Sequence, residues 1–260
     1  MNTKFQHKII RSNPKLLNYS VGKISHSISF FRDDRNMTNA QVVRMIQRHS
    51  NILSFSIENR VKPLIHFMEE LGIANTVCTK VLIQYPMLVT VPTTKLRQRA
   101  KFLESTLKLT GPLDVAYVLT GHPPSFWLGE ETITSKIGVL CQELELENDE
   151  LRDIMVTYPC ILGLSIERNI LPKIRYFMGD LPMELNVEED TNSRRSKRCL
   201  GAGLTRQELK DFVLYQPSLL GYSLDKRIRP RITKMHHQYI LLSYAPPYLM
   251  SLTDAKFQNW

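Results

Sequence analysis

The chain has only four cysteines in 260 residues, Cys78, Cys141, Cys160 and Cys199, and no two form a CxxC pair. That excludes a disulfide framework and a zinc-ribbon type of site, and predicts buried free thiols. No apolar run reaches the roughly 18–20 residues that a membrane span requires. The longest candidate, YILLSYAPPYLM, is broken by Pro246 and Pro247. The seven histidines show no HExxH spacing, and the adjacent His236 and His237 point to different sides of a helix, as structural or surface residues do. There is no Walker A sequence, no G-x-G-x-x-G and no G-x-S-x-G elbow, and no pair of carboxylates lies on an otherwise apolar face. The acidic run Glu143, Glu145, Glu147, Asp149 and Glu150 reads as a solvated linker before a helix. These absences point away from an enzyme and from any cofactor or metal.

What the chain does have is repetition. YPCILGLSIERNILPKI at 158–174 returns as QPSLLGYSLDKRIRPRI at 216–232. Equivalent anchors fall at Pro14, Ser50, Pro86, Pro123, Pro159 and Pro217, spaced by 36, 36, 37, 36 and 58 residues. The excess in the last spacing is filled by the polar, charge-blocked stretch 182–203, which reads as an insertion loop. Each unit predicts two helices. The first runs into the anchor with an amphipathic stripe such as Leu151, Ile154, Met155 and Tyr158, and begins in two units at capping boxes, Thr38 with Gln41 and Thr205 with Glu208. The anchor proline stops it. A short apolar turn follows, and Ser20, Ser56, Ser165 or Ser223 caps the second helix.

The second helix carries three apolar columns at i, i+4 and i+7: Ile24, Val61, Leu96, Ile133, Ile170, Ile228; then Ile28, Ile65, Ala100, Ile137, Ile174, Ile232; then Phe31, Met68, Leu103, Leu140, Phe177, Met235. Pro63, Pro172 and Pro230 recur inside it, where each is expected to remove one hydrogen bond and bend the helix. Two-helix units that cannot bury an apolar face alone must stack. The fold class is therefore all-α: an α-solenoid of about six stacked two-helix repeats forming a curved superhelix, with residues 14–260 as the repeat domain and 1–13 as a basic N-terminal segment.

The net charge of +9 sits in one repeated element. The thirteen residues that begin six after each anchor carry balances of +2, +1, +3, −1, +2 and +4, so everything else is slightly acidic. The positions one before and three after the first apolar column read Lys23/Ser27, Arg60/Leu64, Lys95/Arg99, Thr132/Lys136, Asn169/Lys173 and Arg227/Arg231. Eight of the twelve are basic and none is acidic, whereas solubility alone would admit Glu equally. Lys62, Arg97, Lys101, Arg175 and Arg229 lie on the opposite flank. Lys23, Arg60, Lys62, Lys95, Arg97, Arg99, Lys136, Lys173, Arg175, Arg227, Arg229 and Arg231 are accordingly the candidate phosphate contacts of a nucleic-acid-binding stripe. Glu130 and Glu131 interrupt it in the fourth unit. Aromatics are scattered along the core columns and form no stacking platform, which favours duplex over single-strand binding. The basic run 194–198 reads as a solvated patch, an auxiliary phosphate contact or an import signal.

The P-x-L-L-x-Y-S-L-x-x-R-I-x-P-R-I sentence, clearest at 217–232, resembles the mitochondrial transcription termination factor (mTERF) family, and the resemblance covers residues 14–260 including the closing LMSLTDAKFQNW. Ser50 replaces an anchor proline, and Pro92 and Gly129 replace the capping serine. The resemblance implies a left-handed superhelix with a basic concave groove, acting in mitochondria or chloroplasts in transcription termination or initiation, transcript processing or ribosome assembly. The expected partner is nucleic acid, double-stranded DNA before RNA, bound by a monomer without membrane association, with organellar proteins as further partners. An RNA-binding factor in ribosome assembly or splicing is the alternative, and a protein-docking scaffold is the alternative of another class. Residues 1–32 contain six Lys or Arg and no acid, a transit-like composition, although the first repeat already begins near Pro14.

Overall fold

The computed structural model of the chain describes residues 7, 9–11, 13–179, 203–237 and 247–258. The insertion up to residue 202, with Cys199 and the basic run 194–198, lies outside them, as do most of the N-terminal segment 1–13 and the side chains of His236 and His237. Among the described residues every regular element is helical and there is no strand. The fold is an all-α helical repeat. Two compact units are formed, Met1–Ser105 with Leu109–Trp127, and Thr106–Lys108 with Leu128–Trp260. The division falls inside the fourth repeat, between its turn and its second helix.

Each repeat is built as its sequence dictates. The first helices are Asn39–Arg48, Asn75–Gln84, Pro112–Gly121, Asn148–Thr157 and Arg206–Tyr215. Both predicted capping boxes are formed, and Glu147 with Glu150 makes a third. The acidic run is thus more than a solvated linker. Glu145 accepts from Arg206 at 2.9 Å, and Glu150 pairs with Lys210 at 2.7 Å, tying the fifth repeat to the sixth.

At each anchor the chain enters a short 3₁₀ turn: Pro14–Asn18, Ser50–Ser54, Pro86–Thr90, Pro123–Phe126, Pro159–Gly163 and Pro217–Gly221, with a further one at Pro247–Met250. The four predicted serines then cap the second helix, each hydroxyl accepting the N–H three residues on, at Lys23, Asn59, Arg168 and Lys226. Thr253 does the same for Lys256 after the last turn, so residues 247–258 begin a seventh repeat.

The internal prolines act differently from a simple kink. Where Pro63, Pro172 and Pro230 occur, the second helix opens with a π-helical turn, Ile57–Val61, Ile166–Ile170 and Leu224–Ile228, before continuing as α-helix. The N–H of Val61, Ile170 and Ile228 bonds five residues back, to the carbonyl of the capping serine. The wider turn accommodates the ring and leaves no amide to satisfy at the proline. The third and fourth repeats lack this proline, and their second helices, Thr93–Thr106 and Glu130–Leu144, are α-helical throughout.

The three apolar columns are the core. All members are buried except Ile24 and Ile28 of the first repeat, which are half-buried. Neighbouring turns also interlock. Tyr158 lies over Gly221 of the next turn so closely that a Cβ there would collide with the phenol. Of the thiols, Cys78 is buried and Cys141 and Cys160 are half-buried, and none of the three is in a disulfide. Burial pushes the Cys78 thiol up to about 11.

Candidate nucleic-acid interface

The basic residues of the second helices fall into three environments. Lys136, Lys173 and Arg231 are inside the protein, at 8%, 2% and 2% exposure. Their donors are turned onto the next repeat. Lys136 Nζ donates to the carbonyl of Leu162, and Lys173 Nζ to that of Leu220. Arg231 donates to the carbonyls of Leu249, Met250 and Leu252 at 2.6–2.9 Å and to Asp254 at 2.7 Å. Leu162, Leu220 and Met250 occupy one structural position, the third residue after the anchor. The end of a short helical turn leaves carbonyls without intrahelical partners and a negative dipole pole. A cation from the preceding repeat answers both. Lys23, half-buried, does related work by donating to Ser54 O at 3.3 Å.

These residues correct the reading of the stripe as one exposed face. In an α-helix, residues four apart are offset by about 40°. The position three after the first column lies about 40° from the third apolar column, within the buried arc, and the position one before the first column lies about 40° further out. The edge of the core runs between them. The one-sided charge also acquires a structural cause, since a carbonyl requires a donor and Glu cannot supply one. Burial lowers the pKa of both Lys136 and Lys173, with Glu167 partly opposing this at Lys136.

A second group is neutralised at the surface. Lys62 pairs with Glu58 at 2.6 Å, Arg97 with Glu70 at 2.5 Å and Arg229 with Asp225 at 3.1 Å. Arg229 also lies over the Tyr176 ring, and Arg97 over Phe67.

The third group is what remains for a polyanion. Lys95 and Arg175 are exposed, Arg60 and Arg227 are half-buried, and none of the four is in a salt bridge among the described residues. Arg227 rests on the Tyr222 ring, 4.6 Å from its centroid, as Lys23 rests on Tyr19 at 3.7 Å. The tyrosine of the repeated sentence is therefore a platform that orients a cation. Arg99 is half-buried, its guanidinium over Phe102. Arg168 and Lys226, absent from the predicted set, are exposed beside Asn169 and Arg227 in the first turn of their helices. Their position was readable as the residue before the stripe. Lys95, Arg60 and Arg97 belong to the first unit, and Arg168, Arg175, Lys226 and Arg227 to the second.

A model of the mTERF family matches residues 2–189, most of the described repeats. The chain belongs to the mTERF family. Among characterised proteins it is similar to transcription termination factor MTERF8, chloroplastic, of Arabidopsis thaliana, 23% identical over 223 residues that make up 86% of this chain and 39% of that protein. It is also similar to transcription termination factor MTERF2, chloroplastic, of the same plant, 28% identical over 123 residues, 42% of this chain and 18% of that one. This mTERF-family chain spans less than half the length of either relative.

Proposed function

We propose that this mTERF-family protein binds nucleic acid within an organelle and regulates gene expression there, by transcription termination or initiation. The observation that carries the reading is the set of cations left over once those that join repeats and those paired at the surface are removed: Lys95, Arg168, Arg175 and Lys226, which are exposed, and Arg60 and Arg227, which are half-buried. Arg168 and Lys226 stand against the helix dipole, at a cost of about 0.3–1 kcal/mol. A phosphate held at that helix start reverses the sign of the interaction. The names of the two relatives support a chloroplast or other organellar setting and a role in transcription termination.

Double-stranded DNA is the preferred target. Three rings near the basic residues of the second helices, Tyr19, Phe67 and Tyr222, are covered by Lys23, Arg97 and Arg227, which favours phosphate contact over base stacking. Changing Lys95, Arg175 and Arg227 together to Glu is expected to lower affinity for duplex DNA by orders of magnitude. The same charge change at Arg11, Arg44 and Lys80, which are exposed outside the second helices, is expected to weaken it only slightly. Equal weakening of two folded variants contradicts the reading. Crosslinking in organelles followed by sequencing decides the target, and recovery of mainly ribosomal or intron RNA overturns the preference for DNA.

A further inference from the structure

The second helices open in two ways, and one of them adds a residue at the surface while the core stays the same. Val61, Ile170 and Ile228 of the first apolar column lie eleven residues after their anchors, whereas Ile24, Leu96 and Ile133 lie ten after theirs. The longer spacing belongs to the second, fifth and sixth repeats, the three whose second helix begins with a π-helical turn. Val61, Ile170 and Ile228 are nevertheless as fully buried as Leu96 and Ile133, all at 0% exposure. The π-turn therefore absorbs an inserted residue ahead of the column without disturbing the column. Such turns are rare, and they occur frequently at functional sites.

What the insertion adds is a second hydrogen-bonding side chain. In the α-helical openings the residue before the column follows Gly22, Thr94 or Glu131. In the π-turns the two residues before the column are Asn59–Arg60, Arg168–Asn169 and Lys226–Arg227, the first of each pair exposed and the second half-buried. Their backbone is fixed. The capping serine's hydroxyl accepts the N–H of the first residue, and its carbonyl accepts those of the second and of the column residue. The side chains of Asn59, Arg60, Arg168 and Asn169 make no hydrogen bond or ion pair among the described residues. The acids just ahead of them are engaged: Glu58 pairs with Lys62 at 2.6 Å, and Glu167 accepts from the Ser165 hydroxyl at 3.2 Å.

The three pairs differ in chemistry. Lys226–Arg227 is two cations, suited to phosphate. The turns of the second and fifth repeats instead set one neutral amide beside one guanidinium. An Asn side chain brings no charge to a phosphate, but its donor and acceptor match the N7 and N6 edge of adenine in the major groove. Phosphate contacts position a protein on the duplex, and base contacts specify the sequence.

We infer that Asn59 and Asn169 are sequence-reading residues, each contacting the major-groove edge of an adenine in duplex DNA while Arg60 and Arg168 hold phosphate beside them. The inference rests on the proposed binding of duplex DNA and adds where along the chain the sequence is read.

The test uses the full chain and a library of duplex DNA with a randomised central segment. The parent is expected to enrich a motif with fixed A·T pairs. Asn59→Ala and Asn169→Ala should each lose the preference at one such pair, worth about tenfold in affinity, and leave the salt slope on an unselected duplex unchanged. Arg60→Gln should do the reverse, flattening that slope by roughly 0.7–0.9 and keeping the motif. Asn59→Asp and Asn169→Asp keep the side chain's shape and exchange its donor for an acceptor, so the preference should pass from A·T toward C·G. Folded Asn variants that select the parent's motif, or that weaken binding equally to every sequence, overturn the inference. So does a parent that binds duplex DNA without enriching any motif, and in each of these cases the nucleic-acid reading stands. A parent that binds no duplex DNA overturns both.

Discussion

The two compact units close the same joint with different chemistry. In the second, the position three after the first apolar column holds Lys136, Lys173 and Arg231, each donating to carbonyls of the following turn. In the first, it holds Ser27, Leu64 and Arg99. Ser27 bonds within its own helix, to the carbonyl of Lys23 at 3.1 Å, and Leu64 is 1% exposed. Repeat geometry thus sets the burial of the position, and the residue type sets how the joint is held. An aliphatic side chain contributes through burial, at about 25 cal/mol per Å². A Lys or Arg contributes its stem and a charge-assisted hydrogen bond, set against the desolvation that lowers the Lys136 and Lys173 pKa values.

The sharpest break in this comparison is at the C-terminal end. Arg231→Met leaves three carbonyls and Asp254 without their donor, and is expected to cost about 3 kcal/mol or more in chemical denaturation. Amide exchange should show residues 249–257 losing protection first. An unchanged midpoint would mean that the terminal half-repeat is held by its apolar packing alone.

Next comes the pair that contrasts the units directly. Leu64→Ala is expected to cost about 2–5 kcal/mol through reduced burial and a cavity. Lys173→Met keeps most of the buried stem but leaves the Leu220 carbonyl unanswered, an expected destabilisation of about 1–3 kcal/mol. A Lys173→Met variant as stable as the parent would show that the charge contributes nothing beyond its stem, and the distinction between the joints would collapse.

The smallest effect lies at the surface. The Arg97 guanidinium hydrogen-bonded to Glu70 lowers the carboxyl pKa below its ordinary value. A carboxylate with a depressed folded value stabilises above its unfolded pKa, about 4.3, and that contribution is lost as pH falls through the folded value. An NMR titration of Glu70 should give a midpoint below about 4.3 that Arg97→Gln returns toward it; no change would remove this pair from the account.

Most of the fold was legible because it depends on local rules repeated many times. The serine caps, both capping boxes, the anchor turns and the apolar columns all followed from spacing and turn chemistry. The π-helical turns before Pro63, Pro172 and Pro230 did not, since a proline announces a missing amide but not how the preceding turn widens. The basic stripe was only partly legible. Lys95 is exposed and Arg227 half-buried, whereas Lys136 and Lys173 differ from these two by about 40° of helix rotation and by a carbonyl of the next repeat. Spacing within one helix places a side chain on a flank, but the acceptors that bury it, Leu162 and Leu220, lie 26 and 47 residues away. The pairing of Arg97 with Glu70 was hidden for the same reason.

The central claim is that the basic residues of the second helices divide into cations that join repeats and cations that meet phosphate. The salt dependence of duplex DNA affinity tests it most directly, because its slope reports the number of phosphates neutralised and not stability. Arg175→Gln/Arg227→Gln is expected to flatten the plot of log affinity against log salt by roughly 0.7–0.9 for each phosphate no longer neutralised. Lys173→Met, measured where it is folded, is expected to leave the slope unchanged even if affinity falls. A flattened slope for Lys173→Met, with none for Arg175→Gln/Arg227→Gln, would contradict the division.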